Sequence, residues 1–204
     1  MPRRRLLPVL AAVVAAGLVS TGCGAEQSAA LRVGDQSVSQ SALFEELEFI
    51  TTNEEFRSAL FEGVQLSDMQ GTLRTSYTQP FVGAMLDRRL RFLLAGEALD
   101  ANGIEITDAD RADIEQQLDE IPGADEMPAG YREDFVEGFA RLSVLQSAAG
   151  DEAEINTRLR EAAQSTEIVV NSRFGTWDAD NLIIEPPPAP AGASDEAEAG
   201  TGAE

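Results

Sequence analysis

Apolar residues recur at helical spacing through most of the chain between positions 40 and 165. Leu43, Phe44, Leu47 and Ile50 form one stripe, and Phe56, Leu60, Phe61 and Val64 form a second, the signature of amphipathic helices. Thr51-Thr52-Asn53 between them reads as a break with a new cap, and Ser39 or Ser41 can cap the first helix with Glu45 within capping reach. A polar link covers 67–76. The longest helix is predicted from about Gln79 to Ala101, with Pro80 in its first turn and a broad stripe of Val82, Met85, Leu86, Leu90, Leu93 and Leu94. Asn102-Gly103 ends it, because both residues tolerate the left-handed conformation that closes a helix.

Thr107 caps the next helix, with Asp108 and Asp110 in the first turn where the helix dipole favours acids. Ile114, Leu118 and Ile121 line it up to Pro122-Gly123. A further helix runs from about Ala129 to Ala149 on Phe135, Phe139, Leu142 and Leu145, and Gly150 separates it from a last one over 152–164. The period changes at both ends of this block. Positions 31–38 read as a strand, a turn at Gly34-Asp35 and a second extended piece, and Ile168-Val169-Val170 is β-branched throughout within a strand over 167–171. The pattern predicts a mainly α domain over 31–185, closed by a short pairing of its N- and C-terminal strands, with no internal repeat.

The termini differ from this body. Arg3-Arg4-Arg5 precedes an apolar run over 6–19 that ends in Ser20-Thr21-Gly22-Cys23. A charged start, a short apolar stretch and small residues before a cut site describe a secretory signal over 1–22. The run is shorter than the ~20 residues of a membrane span. The one cysteine directly follows Gly22, which resembles the bacterial lipoprotein signal. That resemblance implies lipidation of Cys23 as the first mature residue, although Ser20 stands where the family favours Leu. Simple secretion with a free thiol and a true transmembrane anchor are the alternatives. The Arg-rich start also loosely resembles a twin-arginine export signal. Two or more acyl chains give stable anchoring where one gives marginal binding. Residues 23–30 form a small, polar tether, and Pro186-Pro187-Pro188 opens a Pro/Ala/acidic tail over 186–204 whose composition predicts disorder.

Composition removes whole classes of chemistry. The chain has 204 residues, no His, one Cys, and 15 basic residues that are all Arg against 36 acids. Without His there is no Ser–His–Asp or Cys–His nucleophile, and without Lys no Schiff base or phosphate-loop lysine. A single Cys forms neither an internal disulfide nor a thiolate cluster. A formal charge of −21 argues against nucleic acid, whose phosphates need a cationic footprint. Loss of 1–22 removes three Arg and no acid, leaving 12 Arg against 36 acids and a charge of −24. Such a surface is repelled by anionic headgroups, so a lipid must do the holding.

Three segments carry a family resemblance. Positions 31–43, LRVGDQSVSQSAL, resemble the opening strand and helix of the SurA N-terminal chaperone domain. Positions 86–108, LDRRLRFLLAGEALDANGIEITD, resemble its long helix, Gly stop and acidic cap. Positions 169–178, VVNSRFGTWD, resemble the closing strand and Arg-aromatic-Gly turn of actinobacterial SurA-like lipoproteins. Related SurA and PrsA-like proteins often carry a parvulin prolyl-isomerase domain before the last helix. The equivalent place here is Gly150-Asp151, where one helix ends and another begins, leaving no room for an insert of ~90–100 residues. The resemblance therefore implies the chaperone half without the isomerase half, and no cofactor.

Remaining motifs read as ordinary structure. Asp108-Ala-Asp110-Arg-Ala-Asp113 and Asp178-Ala-Asp180-Asn181 start like calcium loops, but both lack the sixth-position Gly and twelfth-position Glu of an EF-hand, so no metal site is expected. No carboxylate pair stands out for glycoside hydrolysis. Aromatic and Met side chains suit promiscuous apolar contact, and Phe44, Phe49, Phe81, Met85 and Phe92 do not all fit one narrow inward stripe. At helical spacing most of the Phe side chains are expected to be core, and Trp177 is expected to pack its turn onto the body; these off-stripe residues and Trp177 are the candidates for client binding if such a surface exists. The sequence thus predicts a lipid-anchored, extracytoplasmic chaperone that binds unfolded secreted polypeptides without ATP. An envelope scaffold for one specific partner is the alternative, and a degenerate prolyl isomerase a third.

Overall fold

A computed structural model describes residues 29–71 and 76–188. The signal segment, Cys23, the start of the tether and the tail from 189 onward lie outside the described residues. Ala29 and Ala30, expected in the tether, instead open strand β1 (Ala29–Val33). Gly34 at φ +56 and Asp35 turn the chain into β2 (Gln36–Ser39), paired antiparallel with β1. Strand β3 (Ile168–Val170) pairs antiparallel on the other side of β1, with Leu31 opposite Val170, so the two ends of the body close on each other in the order β2-β1-β3.

Between the ends the chain is helical. Helix α1 (Gln40–Thr52) begins at Ser39, whose hydroxyl accepts from the Ala42 N–H at 3.0 Å; the neighbouring Glu45 is exposed. Asn53 both ends α1 and caps α2 (Glu54–Leu60), its Oδ1 accepting from the Phe56 N–H at 2.9 Å. Its Nδ2 donates to the Gly123 carbonyl at 3.2 Å and to Glu126 at 3.0 Å, tying this corner to a distant turn. The expected polar link holds a short helix, α3 (Leu66–Met69), with Met69 buried. Helix α4 (Gln79–Ala101) has the expected bounds and stops at Gly103, which takes the left-handed φ of +64, whereas Asn102 stays at φ −100.

Helix α5 (Asp108–Asp119) starts in a capping box: Thr107 accepts from the Asp110 N–H at 3.3 Å, and Asp110 accepts from the Thr107 N–H at 2.8 Å. After a 3₁₀ turn (Ala124–Glu126) come α6 (Ala129–Ala149) and α7 (Glu152–Ser165). A two-stranded hairpin of β4 (Thr176–Asp178) and β5 (Ile183–Glu185) follows β3, in place of the turn expected there. Asp178 organises its bend, accepting from the Asp180 and Asn181 N–H groups at 2.9 and 3.2 Å, which accounts for the calcium-like spacing of acids.

The core lies around α4, which touches α1, α3, α6, α7, β1 and β5. Leu86, Leu90, Leu94 and Leu99 are essentially inaccessible. Helices α4 and α6 pack closely at Gly138 of α6, where a Cβ would sit 2.1 Å from the Phe92 ring of α4. The architecture is mainly helical, with a few small antiparallel strands.

Candidate functional site

Helices α1, α4 and α6 meet on a buried charge cluster. Glu46 of α1 is fully buried and accepts hydrogen bonds from Arg88 and, at 2.8 Å, from Arg89 Nε, both on α4. Arg89 also pairs with Asp134 of α6 at 3.0 Å, and Arg88 donates to the Tyr131 hydroxyl at 3.1 Å. The two guanidinium groups lie over the Phe135 and Tyr131 rings at 5.9 and 5.6 Å, a favourable placement for cations. Burial pushes the Tyr131 phenol up to about 12, against the opposing pull of Arg88. Burial alone would lower the Arg88 pKa, but Tyr131 and Glu46 outweigh it and leave the group above its ordinary value. Sequence reading missed this cluster, although Glu46 lies on the apolar stripe of α1 itself, three residues after Leu43 and four before Ile50.

Beside the cluster, α4, α5, α6 and β2 enclose a surface groove. One part, of about 290 Å³, runs between Ser37 of β2 and the Arg89, Asp134 and Arg141 side chains. A wider part, of about 680 Å³, continues past Glu137 to Arg111 and Arg132. Glu137 accepts from Arg111 Nε at 2.7 Å and from Arg141 Nε at 3.2 Å, and Arg141 reaches Gln36 of β2 at 2.8 Å. Partial burial raises the Glu137 pKa, but those two arginines more than offset this and hold the carboxyl below its usual range. A carboxylate so held is a poor general acid at neutral pH. Asp87 departs the other way: burial raises it, against the Ile184 N–H it accepts at 2.7 Å and the charge of Arg91. That bond pins β5 to α4, so the group is engaged structurally. Among the described residues no cluster of three or more His, Cys, Asp or Glu is placed to hold a metal. The groove is suited to binding by charge and hydrogen bond.

The candidate client-binding residues are mostly inside the molecule. Phe49, Phe81, Met85 and Phe92 are buried: they belong to the core, and their candidacy for client contact is corrected. The physical reason is that α4 is covered on several sides, so its apolar surface exceeds a single stripe. Phe49 is enclosed between Phe56, at 4.9 Å, and Tyr131, at 5.8 Å. Phe44 and Trp177 are half-buried against the core, Phe44 at 6.2 Å from both Tyr77 and Phe174.

The exposed apolar surface is elsewhere. Leu60 is 37%, Val64 43% and Leu66 37% exposed, all within the arm formed by α2, its following turn and α3. The sequence pattern put Leu60 and Val64 on a continuous buried stripe, but α2 ends at Leu60 and a turn with Gly63 at φ +81 breaks the helical phase. The sequence signal was Gly63 itself, three residues before the new helix. Outside the arm, Val169 and Ile183 are exposed singly, at 42% and 37%. No family model, curated protein or solved structure matches this chain.

Proposed function

We propose that this chain is a lipid-anchored, extracytoplasmic chaperone-like protein with a SurA N-terminal-like helical body. It binds unfolded secreted polypeptides without ATP and catalyses no prolyl isomerisation. The carrying observation is the concentration of Leu60, Val64 and Leu66 at the surface of one short arm, on a body otherwise rich in acids. Isolated exposed apolar residues need no explanation, whereas three within one short arm are a candidate interaction surface. Transient apolar contact at the arm captures a client, and the charge of −24 after loss of 1–22 keeps the complex in solution. Support for the SurA-like reading comes from the resemblance of positions 31–43, 86–108 and 169–178, together with end strands that pair as that fold requires. Lipid on Cys23 would supply the anchor.

The test uses residues 23–204 with Cys23→Ser, which retains every described residue and stays soluble without lipid. Light scattering from an aggregating unfolded client is followed against an equally acidic inert protein. Suppression beyond that control at near-stoichiometric ratio is expected, and the triple change Leu60→Ser, Val64→Ser, Leu66→Ser should abolish it. No suppression by the unaltered protein overturns the reading in favour of a scaffold for one folded partner, to be sought by crosslinking in cells.

A further inference from the structure

Strand β2 leaves a short open sheet edge beside the groove. Gly34 donates its N–H to the Glu167 carbonyl at 2.9 Å, and Asn171 donates to the Ala30 carbonyl at 3.0 Å. The even-numbered residues of β1 therefore bond β3, and the odd-numbered ones, Leu31 and Val33, bond their β2 partners Val38 and Gln36. That alternation turns both the N–H and the C=O of Ser37 towards the open side. Among the described residues no strand pairs with this edge. Proteins usually protect such edges with short strands, charge, proline or a bulge, and of these β2 has only its four-residue length. Gln36-Ser37-Val38-Ser39 carries neither charge nor proline, and the irregularity in this sheet falls in β1, between Ala29 and Leu31.

The neighbouring groove borders this edge. Ser37 and Val38 line one wall of its 290 Å³ part, facing Arg89, Asp134, Glu137 and Arg141. Those two arginines and two acids balance, so this is a neutral strip on a strongly acidic molecule. The Arg89 side chain is only 6% exposed; it pairs with Glu46 and Asp134, yet its second terminal nitrogen has no hydrogen-bond partner.

We propose that an extended segment of an unfolded polypeptide adds to β2 as a fourth strand. It exchanges main-chain hydrogen bonds with Ser37 and lies along the wall formed by Arg89, Asp134 and Arg141. Main-chain groups are what an open edge reads, and a neutral strip selects no charge on the client. The inference rests on the reading that this protein takes unfolded chains, but it assigns them a second contact, separate from the apolar arm.

The probe is a fluorescent, uncharged eight-residue peptide alternating Val and Thr, its affinity for residues 23–204 (Cys23→Ser) read by anisotropy. A fully N-methylated form keeps the side chains and loses every N–H donor. At least tenfold weaker binding of the methylated peptide is expected. Ser37→Pro, which removes the edge N–H, should weaken the parent peptide at least fivefold, while the triple Ser change in the arm leaves it within twofold. Equal affinity for the two peptides overturns the proposal without altering the protein, as does absence of peptide binding. If light scattering is suppressed while either of those results holds, this inference fails alone. If neither suppression nor peptide binding occurs, the chaperone reading fails with it.

Discussion

Replacing Glu46 with Ala tests whether the buried charge cluster holds α1 to the rest of the molecule. Glu46 is fully buried and joins two arginines whose side chains are 18% and 6% exposed. Its removal leaves Arg89 with Asp134, whose side chain is 52% exposed, and Arg88 with the Tyr131 hydroxyl. Breaking one buried pair by deleting a partner costs about 3–5 kcal/mol, because the remaining charge stays desolvated. With two guanidinium groups affected and each retaining one contact, a loss of about 3–5 kcal/mol is expected for the variant. At about 2–4 °C per kcal/mol for a chain of this size, the melting midpoint should fall by roughly 6–20 °C. Urea unfolding followed by far-ultraviolet circular dichroism measures the loss directly, with exposed Glu45→Ala as the control. Replacing the cluster together, by Glu46→Leu, Arg88→Met and Arg89→Met, should recover most of the stability, since matched apolar side chains commonly equal a buried ion pair. A loss below about 1 kcal/mol for Glu46→Ala, level with the control, would refute the reasoning.

Two further outcomes follow from the same packing. Gly138→Ala places a Cβ 2.1 Å from the Phe92 ring and should cost about 1–3 kcal/mol by overpacking, whereas Gly130→Ala, with open space around it, should gain up to about 1 kcal/mol in helix propensity; stabilisation by both in urea melts would contradict the close approach of α4 and α6. Tyr131, raised by burial to about 12, should show no phenolate absorbance until well above pH 10 while the fold persists. Because its folded pKa lies above the unfolded 10.0, its contribution is complete below pH 10 and is lost as pH climbs towards 12, a change of roughly 3 kcal/mol; full ionisation near pH 10 with unchanged circular dichroism would count against its burial.

Elements were legible where local chemistry settles them. Helices α4 and α6 could be bounded from sequence because Pro80, Gly103 and Gly150 act within one turn of the ends they set. Ser39, Asn53 and Thr107 cap as their side chains dictate. The arm was misread because two apolar residues at helical spacing look alike whether the helix continues or stops, and the one local signal, Gly63, was outweighed by that spacing. The hairpin of β4 and β5 was missed for a different reason. Its strands are three residues each, and it is held by a tertiary bond, Asp87 to the Ile184 N–H, between positions far apart in the chain. The site suffered most. Which Phe is exposed depends on how many neighbours cover α4, and which acid is buried depends on where two arginines of another helix point.

The two surfaces differ in how firmly they are built, and that difference bears on function. The groove is walled by long helices cross-linked by Glu46, Asp134, Glu137 and their arginines, so its shape is set before anything binds. The arm consists of α2 and α3, of seven and four residues, below the length at which a helix sustains itself in water. Phe56 and Met69 are its buried anchors, so its ordering depends on few tertiary contacts, and local opening should fall there first. A pliant apolar arm can adapt to many side-chain sequences, while a rigid strand edge reads the backbone that all of them share. Under the proposed reading, the two together would recognise a polypeptide for being unfolded, with little regard to its side-chain sequence.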